Sequence, residues 1–72
     1  MIVNQIPYLD SVKKYKFSVV DGKTKYICYY SPLESVDKFI VANEFGENIS
    51  EKISMRKFHT LCLECQHALR QG

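Results

Sequence analysis

The residues best suited to chemistry lie close together near the carboxyl end of the chain. Between His59 and His67 the sequence also places Cys62 and Cys65. Zinc favours thiolate and imidazole ligands, and Cys-x2-Cys is a familiar ligand spacing. A Cys-x2-Cys pair can also carry redox chemistry, and each cysteine has a histidine near enough to act as its base. Metal binding, thiol redox chemistry and nucleophilic catalysis are therefore the activities to weigh.

The secondary structure predicted for this stretch argues against all three activities. Residues 55–70 have a helical pattern, with Ser54 as the cap. The apolar residues fall on one stripe of that helix, which consists of Phe58, Leu61, Cys62, Cys65, Ala68 and Leu69. The histidines point the other way, so four ligands cannot converge on one ion, and buried thiols cannot attack a substrate. We expect no catalytic residue, no metal ligand and no cofactor.

Length and composition agree with a small non-enzymatic domain. A chain of 72 residues forms one domain, and 46% apolar with 25% charged residues is ordinary for a globular protein. The sequence has no Gly-rich phosphate loop, no His-Glu-x2-His element and no Gly-x-Ser-x-Gly turn. A core this small can hardly enclose a ligand pocket, which takes about 300 Å³ or more. Residues 1–72 are therefore expected to form one α+β domain that is not an enzyme.

The clearest structural signal is a β-hairpin. Two alternating runs, residues 14–20 and 23–30, flank the pair Asp21-Gly22. That pair suits a type I′ turn, which needs positive φ at both central positions. A two-residue loop at this place sets Val20 opposite Lys23 and Phe17 opposite Tyr26.

This pairing sorts the hairpin side chains into two faces. One face gathers Tyr15, Phe17, Val19, Tyr26 and Cys28. The other face gathers Lys14, Lys16, Ser18, Lys23, Lys25, Ile27 and Tyr29. A slip of one residue would mix the two sets, so the pattern favours this sorting. The apolar face is expected to pack against the helix of residues 55–70.

The middle of the chain leaves two interpretations open. In the first, a short helical turn at residues 32–37 precedes a third strand at 38–43, and 44–48 form a turn. In the second, a single helix continues to Gly46. We favour the first, because the apolar residues near Phe39 show no helical stripe. Residues 2–6, before Pro7, are predicted to be a further strand.

The outward face of the hairpin suggests a nucleic-acid surface. Lysines there surround apolar and aromatic side chains, a combination with which proteins neutralise phosphates and stack bases. The candidate residues are Lys14, Lys16, Lys23, Lys25 and Tyr29. Lysines also keep the edges of a small sheet soluble and unpaired, and a pI near 8.5 is low for a dedicated nucleic-acid binder. Nucleic-acid binding is therefore the alternative hypothesis.

The leading hypothesis is a binding protein that contacts another protein, as an inhibitor, adaptor or regulator. Leu63 stands out as an apolar residue on the polar side of the helix, and Tyr and Arg are common interface anchors. The candidate residues are Ile27, Tyr29, Arg56, His59, Leu63, His67 and Arg70. A small core with an unpaired strand edge also makes a homodimer a reasonable expectation.

The cysteines and the amino-terminal residues predict a location in the cytoplasm. The three cysteines form an odd set, which is typical of thiols in a reducing compartment. Residues 1–7 lack a basic segment followed by a long apolar run, which a secretory signal would need. No stretch reaches the roughly 18 consecutive apolar residues of a membrane span. We expect no membrane partner.

Overall fold

The chain forms a four-stranded antiparallel sheet with one helix packed on one of its faces. The computed structural model describes residues 1–7, 15–31 and 38–71. The elements, in chain order, are β1 (Ile2–Ile6), β2 (Tyr15–Asp21), β3 (Thr24–Ser31), β4 (Lys38–Asn43) and α1 (Met55–Gln71). Strands adjacent in the sequence are also adjacent in the sheet. The predicted α+β fold, an antiparallel sheet under a carboxyl-terminal helix, is confirmed.

The predicted hairpin forms between β2 and β3, but its pairing differs from the prediction by two residues. Gly22 and Lys23 form the loop, so that Phe17 pairs with Cys28 and not with Tyr26. Gly22 has a φ of +62° whereas Lys23 has no positive φ, which is the pattern of a type II′ turn. That turn requires positive φ only at its first central position, where glycine adopts it without steric cost. The two-residue shift leaves the described strand residues of the hairpin on their predicted faces, whereas Lys23 lies in the loop.

Residues 38–43 are a strand, as the favoured interpretation predicted, and the single helix ending at Gly46 is wrong. Along β4 the side chains of Phe39 and Val41 contact the core, while Ile40 between them is exposed. This period of two is that of a strand and not of a helix. The predicted strand at Ile2–Ile6 is also present and pairs with β2. The predicted turn at 32–37 and residue Lys14 lie outside the described residues.

The hydrophobic core lies between the sheet and α1. Its buried residues are Phe17, Val19, Tyr26, Cys28, Tyr30, Val41, Leu61 and Cys65. Edge-to-face aromatic contacts connect Tyr30, Phe39 and Phe58, with ring centroids 6.4 Å and 5.3 Å apart. These contacts join β3, β4 and α1. The apolar stripe predicted for the helix therefore faces the sheet, although Cys62 at its margin is only half-buried.

The start of α1 is fixed by a cap and by an ion pair. The Lys57 backbone N–H donates to the hydroxyl of Ser54 (3.1 Å), which confirms the predicted cap. The Lys57 ammonium pairs with the carboxylate of Asp21 and lies 5.6 Å from the ring centroid of Tyr26. The first turn of the helix is thereby attached to the end of the hairpin. Within the described ranges, no helix combines the length and the apolar character that crossing a membrane requires.

Residues 44–54, the return segment, lead from β4 back to the helix. The Asn43 side-chain oxygen accepts hydrogen bonds from the backbone N–H groups of Phe45 (3.0 Å) and Glu47 (2.9 Å). The Asn43 carbonyl accepts a third from Gly46 (3.0 Å). The predicted turn at 44–48 is thus present. Further along, Ile49 and Ile53 pack against the core.

Candidate partner-binding surfaces

The face of the sheet opposite to α1, here called the open sheet face, is the first candidate surface. Because side chains alternate along a strand, it can be read from the pairing of the four strands. It consists of Ile2, Asn4, Ile6, Lys16, Ser18, Val20, Lys25, Ile27, Tyr29, Ser31, Lys38, Ile40 and Ala42. All of these except Ala42 are half-buried or exposed. The helix and the core residues of the return segment pack on the other face.

Apolar side chains extend across the whole width of the open sheet face. One row across the strands runs Ile6–Lys16–Tyr29–Ile40. In the neighbouring rows Ile2 pairs with Val20, and Ile27 lies beside Ala42. At the two margins Ile2 is 63% exposed and Ile40 is 41% exposed. Lys16, Ser18 and Lys25 interrupt these rows, so the apolar side chains form groups bordered by polar residues. Exposed apolar groups with a polar border are typical of interaction sites.

The charge on the open sheet face has one sign. Lys16, Lys25 and Lys38 lie on it, and none of its residues as defined above is acidic. The Lys16 ammonium lies 5.7 Å from the ring centroid of Tyr29, its cross-strand neighbour. This distance is within the range of a cation–π contact, which orients the lysine over the aromatic ring. The surface therefore presents positive charge around an apolar centre.

The residues predicted to bind nucleic acid are only partly brought together. Lys16, Lys25 and Tyr29 share the open sheet face, as the alternation of the hairpin predicted. Lys23 is exposed but lies in the hairpin loop, since the loop is displaced by one residue toward it. Lys14 lies outside the described residues.

The residues predicted to bind a protein fall on two separate surfaces. Ile27 and Tyr29 lie on the open sheet face. The helical residues, which are Arg56, His59, Leu63, His67 and Arg70, are all exposed on the side of α1 that faces away from the sheet. The sheet and the helix separate these two groups, so they cannot contact one small partner surface together.

The outer side of α1 offers a shallow depression. Leu63, which is 50% exposed, lines it together with Glu64, Gln66, His67 and Arg70, and its volume is about 330 Å³. The His67 ring nitrogen Nε2 lies 3.0 Å from the side-chain nitrogen of Gln71. Leu63 is the sole apolar residue of this depression. The helix side is thus less apolar than the open sheet face.

The cysteines do not form an exposed reactive centre. Cys65 is fully buried, and a hydrogen bond with Cys28 together with burial raises the pKa of its thiol. Cys62, predicted to be buried, is only half-buried, and its sulfur accepts a hydrogen bond from the Gln66 amide (3.6 Å). His59 and His67 are exposed. Among residues 1–7, 15–31 and 38–71, no three His, Cys, Asp or Glu side chains are placed to hold a metal ion.

Sequence reasoning missed the part of the open sheet face that β1 and β4 contribute. Ile2, Ile6 and Ile40 extend the apolar surface on both sides of the hairpin. The alternation within residues 2–6 and 38–43 could have identified these side chains, once both segments were paired with the hairpin in the meander order. A second depression of about 460 Å³ borders Ile40, between β4 and residues 48–52.

Comparisons with known proteins add no family to this description. No protein-family model matches the chain, and neither the curated proteins nor the solved structures give a significant match.

Proposed function

We propose that this domain is a non-catalytic binding protein that attaches to another protein through its open sheet face. The observation that carries the proposal is the apolar surface that crosses all four strands with Tyr29 near its middle. Exposed apolar surface stabilises a complex by about 25 cal/mol for each Å² removed from water. A sheet face offers that area on a rigid frame, so little conformational entropy is lost on binding.

The charge on this face specifies the chemistry of the partner. Lys16 and Lys25 border the apolar centre, and the face as defined has no acidic residue. A partner with a flat apolar patch bordered by aspartate or glutamate side chains would complement it. Such an attachment lets a small domain inhibit, regulate or connect its partner without performing chemistry itself.

A location in the cytoplasm belongs to the same proposal. Cys28, Cys62 and Cys65 are all free thiols. Free thiols, including one that is half-buried, are in keeping with a reducing compartment.

A matched pair of substitutions tests which side of the molecule binds. Ile40→Glu places a negative charge at the margin of the open sheet face, and Leu63→Glu makes the same change on the outer side of α1. The two side chains are comparably exposed, at 41% and 50%, so the variants should be similarly stable. Capture from the native host with the immobilised wild type, after nuclease treatment, identifies the proteins that it retains. The two variants are then compared with the wild type in binding the purified partner.

The proposal requires one pattern of binding. With the purified partner, calorimetry should show wild-type affinity for Leu63→Glu and at least about tenfold weaker binding for Ile40→Glu. The reverse pattern would place the interface on the helix. If both variants bound as the wild type does, the interface would lie on neither side and the proposal would be wrong.

Single-stranded nucleic acid is the second candidate, because Lys16, Lys25 and Tyr29 share one face. Against it, Tyr29 is the one aromatic side chain among the described residues of the open sheet face, and its ring already has the Lys16 ammonium 5.7 Å away. Stacking platforms for single strands generally use several aromatic rings. A single-stranded oligonucleotide titrated at increasing salt tests this candidate by fluorescence anisotropy. Binding that falls steeply with salt and is lost in the double variant Lys16→Glu, Lys25→Glu would favour it.

A further inference from the structure

The backbone at the outer edge of β4 reveals which way the hydrogen-bonding groups of every strand point. The Val41 N–H donates to the Ser50 hydroxyl (2.9 Å), and the Val41 carbonyl accepts from the Ile49 N–H (2.8 Å). Ser50 and Ile49 belong to the return segment, so the backbone groups of Val41 point away from β3. In an antiparallel sheet these directions alternate from residue to residue and from strand to strand.

The row that contains Val41 can be followed across the sheet to the opposite edge. Val41 pairs with Cys28, Cys28 with Phe17, and Phe17 with Gln5. Since Val41 points away from β3, Cys28 must bond to β2, and Phe17 in turn must bond back to β3. Gln5 therefore directs its N–H and its carbonyl away from β2. By the same alternation, Val3 does so as well.

These groups of Val3 and Gln5 form an edge that the described part of the chain leaves unpaired. β1 is the first strand of the sheet and has a described neighbour on one side only. Its sequence, Ile-Val-Asn-Gln-Ile, has no charged residue and no proline. Natural proteins commonly protect an open edge with lysine, proline or a covering segment, because it is a template for pairing with another chain.

We propose that two copies of this chain associate through β1, which pairs in antiparallel fashion with β1 of the second copy about a two-fold axis at Asn4. In this register Val3 lies opposite Gln5 of the second copy, and the two residues exchange both of their backbone hydrogen bonds. The symmetric pair does the same, so every outward-pointing group of Val3 and Gln5 is satisfied. Asn4 faces its own counterpart, where the two amides can bond to each other.

The side chains fit this register as well as the backbone does. Ile2 comes to lie opposite Ile6 of the second copy, and both belong to the open sheet face. The apolar side chains at the β1 edge of one copy thus adjoin those of the other. Because β1 carries no charge, the pairing brings no like charges together. Pro7, which has no N–H, follows β1 directly and limits the pairing to this strand.

The partner that fits this edge best is a second copy of the chain, because β1 is complementary to itself. A two-fold interface must be self-complementary, and β1 is complementary to itself in hydrogen bonding, in charge and in the position of its two isoleucines. The two four-stranded sheets then form one continuous sheet of eight strands. The dimer would present two open sheet faces side by side, with both helices on the opposite face.

Cysteine cross-linking tests the register directly. Across a non-hydrogen-bonded antiparallel pair the Cα atoms are about 4.5 Å apart, a distance that a disulfide spans. Asn4→Cys in a Cys62→Ser background should therefore form a covalent dimer under mild oxidation by oxidised glutathione. Ser18→Cys is the matched control, because Ser18 pairs with Asn4 on the same face but lies one strand further in. Its two copies would be about 14 Å apart and should not cross-link.

Two measurements on uncross-linked protein complete the test. Sedimentation equilibrium should show a dimer for the wild type and a monomer at the same concentration for Asn4→Lys, whereas Thr24→Lys should remain dimeric. In the wild type the amide protons of Val3 and Gln5 should be protected from exchange, and dilution should remove that protection. A wild type that stays monomeric at millimolar concentration overturns the proposal. So does a dimer in which these amides exchange freely, since its interface would lie elsewhere.

Discussion

The two edges of the sheet present the same backbone geometry but differ in what lies next to them. Along one row, Val41 on β4 and Gln5 on β1 both direct their N–H and carbonyl groups away from the sheet. At β4 the return segment supplies the partners, through Ser50 and Ile49. At β1 the described residues supply none. The sheet thus protects the β4 edge with its own chain, whereas no segment among the described residues covers the β1 edge.

At β4 the protection comes from the connection that follows the strand. The chain leaves β4 through a tight turn held by Asn43, and the turn brings residues 47–50 alongside the strand. Ala42 is consequently only 3% exposed although it lies on the open sheet face. Substitutions of the residues that stabilise the β4 edge, each matched with a substitution at an equivalent position elsewhere, measure how much each residue contributes.

The largest expected difference concerns the side chains at the two edges. Val41 is fully buried, so Val41→Ala should lower the free energy of unfolding by about 2 kcal/mol through lost apolar burial and a residual cavity. Val3 is only half-buried, and Val3→Ala should cost less than about 1 kcal/mol. Urea denaturation at low protein concentration measures both. Equal costs would show that β1 is as deeply embedded as β4.

A smaller effect is expected when the Ser50 hydroxyl, which binds the backbone of Val41 at the β4 edge, is removed. The Ser50 hydroxyl accepts from the Val41 N–H and donates to the Val41 carbonyl (3.3 Å). Ser50→Ala should destabilise the fold by about 1 kcal/mol, because the Val41 N–H loses its acceptor, whereas the Val41 carbonyl keeps its hydrogen bond from the Ile49 N–H. Ser18→Ala on the open sheet face is the control and should stay within about 0.5 kcal/mol of the wild type. If the two variants were equally stable, the hydroxyl would contribute nothing to the edge.

Much of the fold could be predicted from the sequence because it depends on local periodicity. The alternation around Phe17 and Tyr26 identified the hairpin and its two faces, and Ser54 marked the start of the helix. The register was predicted incorrectly by two residues, because Phe17 pairs with Cys28 and not with Tyr26. A period of two cannot distinguish these registers, since both keep every side chain on the same face. The position of the loop depends on which residues take positive φ. Gly22 can be the second central residue of a type I′ turn, as predicted, or the first of a type II′ turn, as observed.

The sequence could predict which single residues are exposed, but not which of them lie together on one surface. The sequence pattern placed Tyr29 on an outward face of the hairpin and Leu63 on the outer side of the helix, and both placements agree with the structure. It could not show that the sheet lies between them, because that depends on how elements distant in sequence pack. The edge of β1, which no described residue covers, was hidden for the same reason. It follows from hydrogen bonds at Val41, almost forty residues away in the sequence.

The smallest expected effect concerns an ion pair that closes the return segment. The Lys52 ammonium lies 2.7 Å from a carboxylate oxygen of Glu47, and this contact lowers the pKa of Glu47 below its ordinary value of 4.5. A carboxylate with a lowered pKa stabilises the fold above the unfolded-state value, and the stabilisation is lost as the pH falls through the folded-state pKa. The wild type should therefore lose a small increment of stability below about pH 4.5, whereas Glu47→Gln should lack that increment at every pH.

Glu51→Gln is the control, because it removes the same charge from the same segment without breaking the pair. Denaturation curves from pH 3 to 7 compare all three proteins. Because both side chains of the pair are exposed, high salt should reduce the difference. A pH profile of Glu47→Gln identical to that of the wild type would show that the pair does not support the β4 edge.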